Sequence, residues 1–365
     1  MPKKNVLHIT YDMRIGGTEM VIKNIVNGLK LDVNMSLFCI EEPIGQWGKD
    51  LIEEGIPCHS FERREGFDWR LIVAIRKVIN NKQIDIVHCH QYTPWVYGAI
   101  ATFGTKARVL FTEHGRFYPD SSNWKRRLVN PLLSNMTKSI TAISAATKQA
   151  LVDYEFLSES KIKVVYNGIE KVIPSQDQVE IKRALDISEG KVVFGTIARL
   201  DPIKNQTMML EAFANVISRG LDAILLVVGD GELMESLQQL AKRLDIEKRV
   251  IFTGYKPYPA DYLNIMDVFL LSSLSEGTSM TLLEAMSLAK PSVVTDAGGN
   301  SEIIKHKVNG LVVPNDDQQA FADAMFGLAS HIGLLNEYAS NALKIYQEQF
   351  SSVTMNQQYL SIYGK

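Results

Sequence analysis

The sequence predicts an α/β protein made of two doubly wound, Rossmann-like domains in tandem, and three observations predict it. Short apolar runs alternate with longer amphipathic segments from end to end, the pattern of parallel sheets with right-handed helical crossovers. The rhythm breaks once, over residues 167–190, where Asn167-Gly168, Pro174 and several polar residues interrupt it, and then restarts. The length, 365 residues, is long for one core and comfortable for two.

In the first half the apolar runs 5–10, 35–40, 85–88, 108–112, 139–143 and 162–166 read as strands, with helical periodicity over 19–29 and 69–80. In the second half the strands are 191–196, 223–228, 249–253, 267–272, 292–295 and 311–313. The domains are placed at 1–170 and 171–345, with 346–365 as a final segment and 167–190 as a hinge. Doubly wound sheets bind ligands beyond the carboxyl ends of their strands, so two such domains facing one another would share one cleft.

Composition narrows the function. A formal net charge of -2 with 22% charged residues gives no basic surplus for nucleic acid. Cys39, Cys58 and Cys89 are odd in number and lack CxxC spacing, which argues against a disulfide framework or zinc ribbon and for a reduced, cytoplasmic setting. No apolar run reaches the length of a membrane span, so any membrane contact is expected at the surface.

The most informative stretch is Ser275-Glu-Gly-Thr-Ser-Met-Thr-Leu-Leu-Glu284, which follows a strongly apolar strand. Eight residues in one continuous helix would turn Glu276 and Glu284 about 80° apart. They converge instead if Glu276 lies in a loop and the helix starts near Thr278 or Ser279, both good N-cap types. Gly277 then permits close backbone approach, and the helix start offers N–H groups to an anion. Taken alone, Glu284 reads first as a solvated helix face.

Arg199 and Lys204, after another strand, place two cations where a diphosphate leaving group would need donors; either one alone is an ordinary surface cation. Gly16-Gly17 joins the first strand to the first helix and could form a phosphate-approaching turn or serve only as a turn; it is not GxGxxG, so NAD binding is not inferred. Gly229, in Val228-Gly-Asp-Gly-Glu232, and Tyr255, after Gly254, end two further strands and could hold a nucleobase or serve only as turns. His114, in Thr112-Glu-His-Gly115, stands at a strand end and could orient a sugar hydroxyl or simply cap a turn. His88-Cys89-His90 has the look of a metal site, but in a strand the two histidines share one face and Cys89 the other, so the three are not expected to converge.

With these motifs in place, nearly the whole chain resembles the retaining GT-B glycosyltransferases of glycosyltransferase family 4. The E-x7-E pattern of Glu276 and Glu284 carries the resemblance most specifically. Gly16-Gly17, Thr112-Glu-His-Gly115, Val165-Tyr-Asn-Gly-Ile169, Arg199 with Lys204, Gly229-Asp-Gly-Glu232 and Gly298-Gly-Asn-Ser-Glu302 support it. The resemblance implies that Glu284 holds the donor ribose, and that Glu276 faces the donor sugar with the backbone of Gly277, Thr278 and Ser279 nearby. It implies that Arg199 and Lys204 neutralise the diphosphate, that Gly16-Gly17 approaches it, and that His114 lies beside the transferred sugar. Ser301 stands where many relatives carry proline.

The same resemblance implies a nucleotide-sugar donor (UDP first, GDP next), a saccharide or lipid-linked acceptor, no metal or other cofactor, and a last helix, 350–365, that packs back on the first domain. With donor groups mainly in the second domain and acceptor groups in the first, catalysis is expected to need closure about the hinge. A basic and aromatic stretch, Arg116-Phe-Tyr-Pro-Asp120 with Asn123-Trp-Lys-Arg-Arg-Leu-Val129, suits peripheral contact with a membrane surface and equally describes a solvated basic turn beside a helix. Two other readings of the same fold are a UDP-sugar 2-epimerase and a non-catalytic nucleotide-sugar-binding subunit. The first lacks a reason for Glu276 and Glu284, and the second lacks a reason for the full set of site residues.

Overall fold

The computed structural model describes residues 3–115 and 123–364. The chain divides into two compact units, one of residues 1–170 and 352–365, the other of residues 171–351.

The first unit is a seven-stranded parallel sheet: β1 (Asn5–Thr10), β2 (Asn34–Cys39), β3 (Cys58–Ser60), β4 (Ile86–His90), β5 (Arg108–Glu113), β6 (Thr137–Ala142) and β7 (Ile162–Val164), in the order β3-β2-β1-β4-β5-β6-β7. Strands covered on both faces must be apolar along their length, and Leu7, Ile9, Phe38, Val87, Val109 and Phe111 are accordingly buried. Trp95 stacks on Phe111 at 4.3 Å between ring centroids under one face of this sheet. Asp68 and Ser144 cap helices Trp69–Asn81 and Ala145–Glu155 by accepting hydrogen bonds from Arg70 N and Thr147 N.

The second unit is a six-stranded parallel sheet: β8 (Val192–Ile197), β9 (Ala223–Val228), β10 (Val250–Gly254), β11 (Val268–Leu271), β12 (Ser292–Thr295) and β13 (Gly310–Val313), in the order β10-β9-β8-β11-β12-β13. Phe194, Phe213, Phe321 and their neighbours fill its core. In each sheet strand order reverses once, between β1 and β4 and between β8 and β11, the switch point at which doubly wound sheets bind their ligands.

The end of the chain departs from the expected boundary at residue 346. Tyr346–Phe350 remains with the second unit, because Tyr346 and Phe350 are buried there beside helices Met280–Ser287 and Ile332–Ile345. Only Ser352–Gly364 belongs to the first unit, where Met355, Tyr359 and Tyr363 are buried. β3 was not expected. It is a three-residue edge strand without a fully buried residue. Among the described residues no helix is long and apolar enough to cross a membrane.

Candidate active site

At the switch point of the second sheet the loops after β8 and β11 meet. Asp201 shapes the first loop by accepting hydrogen bonds from Ile203 N and Lys204 N. Lys204 then donates to Glu276 Oε1 at 2.6 Å, and Ser273 Oγ donates to the same oxygen at 2.6 Å. Two further hydrogen bonds tie the loops together, one between backbone groups, Leu274 N to Ile203 O at 2.8 Å, and one from a side chain, Ser272 Oγ to Lys204 O at 2.8 Å. The pair is largely shielded, with side-chain exposures of 24% for Lys204 and 10% for Glu276. A cation and a carboxylate held in that setting interact far more strongly than an exposed pair.

A third loop, after β12, presses on the second. Gly298 has φ +56, and a Cβ placed there would stand 1.9 Å from Glu276 O. Gly299 N donates to that oxygen at 3.1 Å. Glu276 is therefore fixed by its side chain through Lys204 and Ser273, and by its backbone through the Gly298-Gly299 turn.

Helix Met280–Ser287 begins where capping chemistry placed it. Ser279 is the N-cap and accepts from Leu282 N, Thr278 and Ser279 are buried, and Glu276 and Gly277 lie in the preceding loop. Glu284 sits on this helix with no hydrogen bond to its carboxylate among the described residues, and burial pushes its pKa up to about 7. A carboxyl raised above its unfolded value of 4.5 stabilises the fold fully below that pH, and the contribution is lost as pH rises through about 7. The unfolding free energy of Glu284→Gln, measured by urea denaturation, should therefore gain on that of the parent by on the order of 3 kcal/mol between pH 4.5 and pH 8. A difference that stays flat with pH would show that this carboxyl is not desolvated.

The other residues expected at the donor are not joined to this pair. Arg199 is 75% exposed and its Nε donates to Asp201 Oδ2 at 2.6 Å. No hydrogen bond or ion pair joins it to Glu276 among the described residues. Gly229, at φ +136, passes so close to Ala198 that a Cβ would stand 1.9 Å from Ala198 O, and its own N donates to Gly254 O at 3.0 Å. Tyr255, which follows, is 66% exposed.

In the first unit Gly16 is the N-cap of helix Gly17–Leu29, beyond β1. The expected anion turn is covered by Glu19, whose Oε2 would lie 2.5 Å from a Cβ on Gly16. Burial raises the pKa of this carboxyl, and a phosphate approaching the turn must displace it. His114, beyond β5, is bonded through Nε2 to His90 Nδ1 at 2.8 Å, and burial lowers its pKa to about 3. Arg116, Phe117, Tyr118, Pro119 and Asp120 lie outside the described residues.

His88 and His90 do share a face of β4, with Cys89 on the other, but a third ring joins them. His8, paired with His88 across β1 and β4, brings its nitrogen within 4.8 Å of theirs. This set does not suit a metal. His88 already uses Nδ1 on Tyr363 OH and Nε2 on Thr112 Oγ1, His90 uses Nδ1 on His114 and Nε2 on His8, and three neutral rings would leave a buried dication uncompensated.

Ser273 and His8 were not singled out in the sequence, and Gly298 stood there in a motif without this role; a contact between neighbouring strands or their loops brings each in. Gln91 is a further addition. It leaves β4 at the switch point with φ +71, outside helical or extended backbone, and its side-chain oxygen is buried without a partner among the described residues. Strain of that kind costs about 1–3 kcal/mol and concentrates at binding sites.

Family models match in two consecutive blocks: Glycosyltransferase Family 4 over residues 15–171, and Glycosyl transferases group 1 over residues 177–344. The chain is 29% identical over 307 residues to N-acetyl-alpha-D-glucosaminyl L-malate synthase of Bacillus anthracis, covering 81% of this chain and 79% of that protein. It is 28% identical over 269 residues to the UDP-Gal:alpha-D-GlcNAc-diphosphoundecaprenol alpha-1,3-galactosyltransferase of Escherichia coli, covering 71% and 70%. Among solved structures, HepE of Anabaena in complex with UDP superposes with a TM-score of 0.88 at 24% identity, over 99% of both chains.

Proposed function

The chain belongs to the glycosyltransferases of group 1 and family 4, with a GT-B fold, and from that premise we propose its reaction. It moves a hexose-type sugar from a nucleotide-sugar donor onto a saccharide or lipid-linked acceptor, with retention at the anomeric carbon and without a bound metal, in the synthesis of a polysaccharide or glycoconjugate on the cytoplasmic side. The observation that carries this reading is the Lys204–Glu276 pair, held at 2.6 Å at the switch point and locked by Gly298. Lys204, with Arg199 beside it, supplies positive charge for a diphosphate, the work that a metal would otherwise do. Glu276 has one oxygen committed and faces the donor sugar; Glu284 takes the ribose hydroxyls; His114 meets the transferred sugar. UDP is favoured because similar structures were solved with UDP and with UDP-glucose, and GDP is next. A screen of UDP- and GDP-sugars, scoring released nucleoside diphosphate with and without acceptor, tests the reading. Release from no donor would sink it.

Peripheral membrane contact is the second part. Helix Trp124–Met136 exposes Trp124, Leu128 and Leu132 at four-residue spacing, with Lys125 and Arg127 exposed beside them. An apolar stripe flanked by cations suits an anionic bilayer surface. Arg126 does not belong to this surface: it pairs with Glu155 at 2.5 Å and stacks on Tyr92. Sedimentation with phosphatidylglycerol vesicles should show binding that a Trp124/Leu128/Leu132 triple serine variant loses. Binding unchanged in that variant would place the contact elsewhere.

A further inference from the structure

Three histidines form one line of hydrogen bonds in the first unit. His8 Nδ1 lies 2.9 Å from His90 Nε2, and His90 Nδ1 lies 2.8 Å from His114 Nε2. The line has two loose ends, His8 Nε2 and His114 Nδ1, both without a partner among the described residues. Burial lowers the pKa of all three rings, to about 3 for His8 and His114, so each is neutral near pH 7 and carries one N–H. With one proton per ring and one per bond, only two arrangements satisfy both bonds. Either every ring is protonated at Nδ1 and the spare N–H stands on His114, or every ring is protonated at Nε2 and the spare N–H stands on His8.

The two arrangements differ in what they leave unsatisfied. Both loose ends are shielded, but His8 lies wholly inside the sheet, whereas His114 is a partly exposed residue just beyond the end of β5 and so the nearer to solvent. An N–H orphaned in the interior of the sheet is costlier than one orphaned at its edge. The spare N–H therefore belongs on His114.

We propose that His8 and His90 are positioning residues that hold His114 in the Nδ1–H tautomer, so that it presents a hydrogen-bond donor to an acceptor oxygen of the sugar or phosphate. The value of this arrangement to catalysis rests on the reading of His114 given above; the tautomer itself does not. An isolated imidazole side chain prefers the Nε2–H form, so the line reverses the intrinsic preference.

Long-range proton–nitrogen correlation spectra of full-length protein labelled with 15N-histidine report the tautomer of each of the seven histidines, with His8→Phe, His90→Phe and His114→Phe for assignment. His8, His90 and His114 should all appear with Nδ1 protonated and Nε2 bare. In His90→Phe, His114 should move toward Nε2–H and kcat should fall about tenfold or more, the size of effect that orientation partners of histidines carry, with donor KM nearly unchanged. His90→Asn, whose amide N–H can replace Nδ1–H, should restore both. An Nε2–H signal for His114 in the parent protein overturns the proposal even if the His90 variants fail to fold, and so does an unchanged His114 tautomer in a folded His90→Phe. Undiminished turnover in His114→Ala would instead remove His114 from the reaction while leaving the tautomer result standing.

Discussion

Lys204→Ala is expected to lower kcat by about a hundred- to a thousandfold, the loss typical of removing one charge-stabilising donor, while UDP affinity changes far less. In the role proposed for it, the ammonium meets negative charge that grows on the leaving diphosphate, so its contribution is largest in the transition state. Glu276→Ala should reduce turnover as severely for a different reason. It removes the group facing the sugar and frees Lys204 from its 2.6 Å contact, so UDP affinity should hold or rise. The two variants thus share a lost kcat and part in binding, the lysine variant weaker and the glutamate variant equal or tighter. Calorimetry with UDP beside steady-state rates distinguishes them. Normal turnover in Glu276→Ala would put the site in the wrong place.

Gly298→Ala should approach the same loss of turnover without touching a group that meets substrate. A Cβ there would lie 1.9 Å from Glu276 O, on backbone at φ +56. The left-handed conformation costs a non-glycine residue about 1–2 kcal/mol, and the backbone overlap must also be relieved by moving the loop that carries Glu276. Folding should survive, since Gly298 lies in a surface turn beyond β12, and thermal unfolding would check it. A variant with parental kcat would show that the Glu276 loop can shift without consequence.

Much of this was legible because parallel strands are written as continuous apolar runs. β1, β9 and β12 fall where the sequence placed them, and the Ser279 cap was readable from residue type. β3 was not, because Cys58–Ser60 is short, partly exposed and set among polar residues. At the site, the sequence could supply Glu276 and Lys204 but not their contact. That contact follows from β8 lying beside β11, a matter of strand order fixed by the packing of the whole sheet. The same holds for Gly298, and for His8, whose neighbours come from β4. The Glu19 carboxyl beside the Gly16 turn was not legible either: the glycine pair marks a turn, but which side chain folds back on it is decided by the helix that follows.

The composition of the first unit, residues 1–170 with the helix Ser352–Gly364, has a consequence for biosynthesis. Tyr359 and Tyr363 seal the sheet over His88 and Thr112, with Tyr363 OH 2.8 Å from His88 Nδ1. On the ribosome the strands of this unit emerge first, but the helix that closes their core is made only after the entire second unit. At about 5–20 residues per second, the nascent sheet waits on the order of ten seconds or more with those histidines unsealed. The second unit, continuous in sequence, has no such wait. It can complete its core while the first is still open, so the part of the enzyme translated first is the last to finish folding.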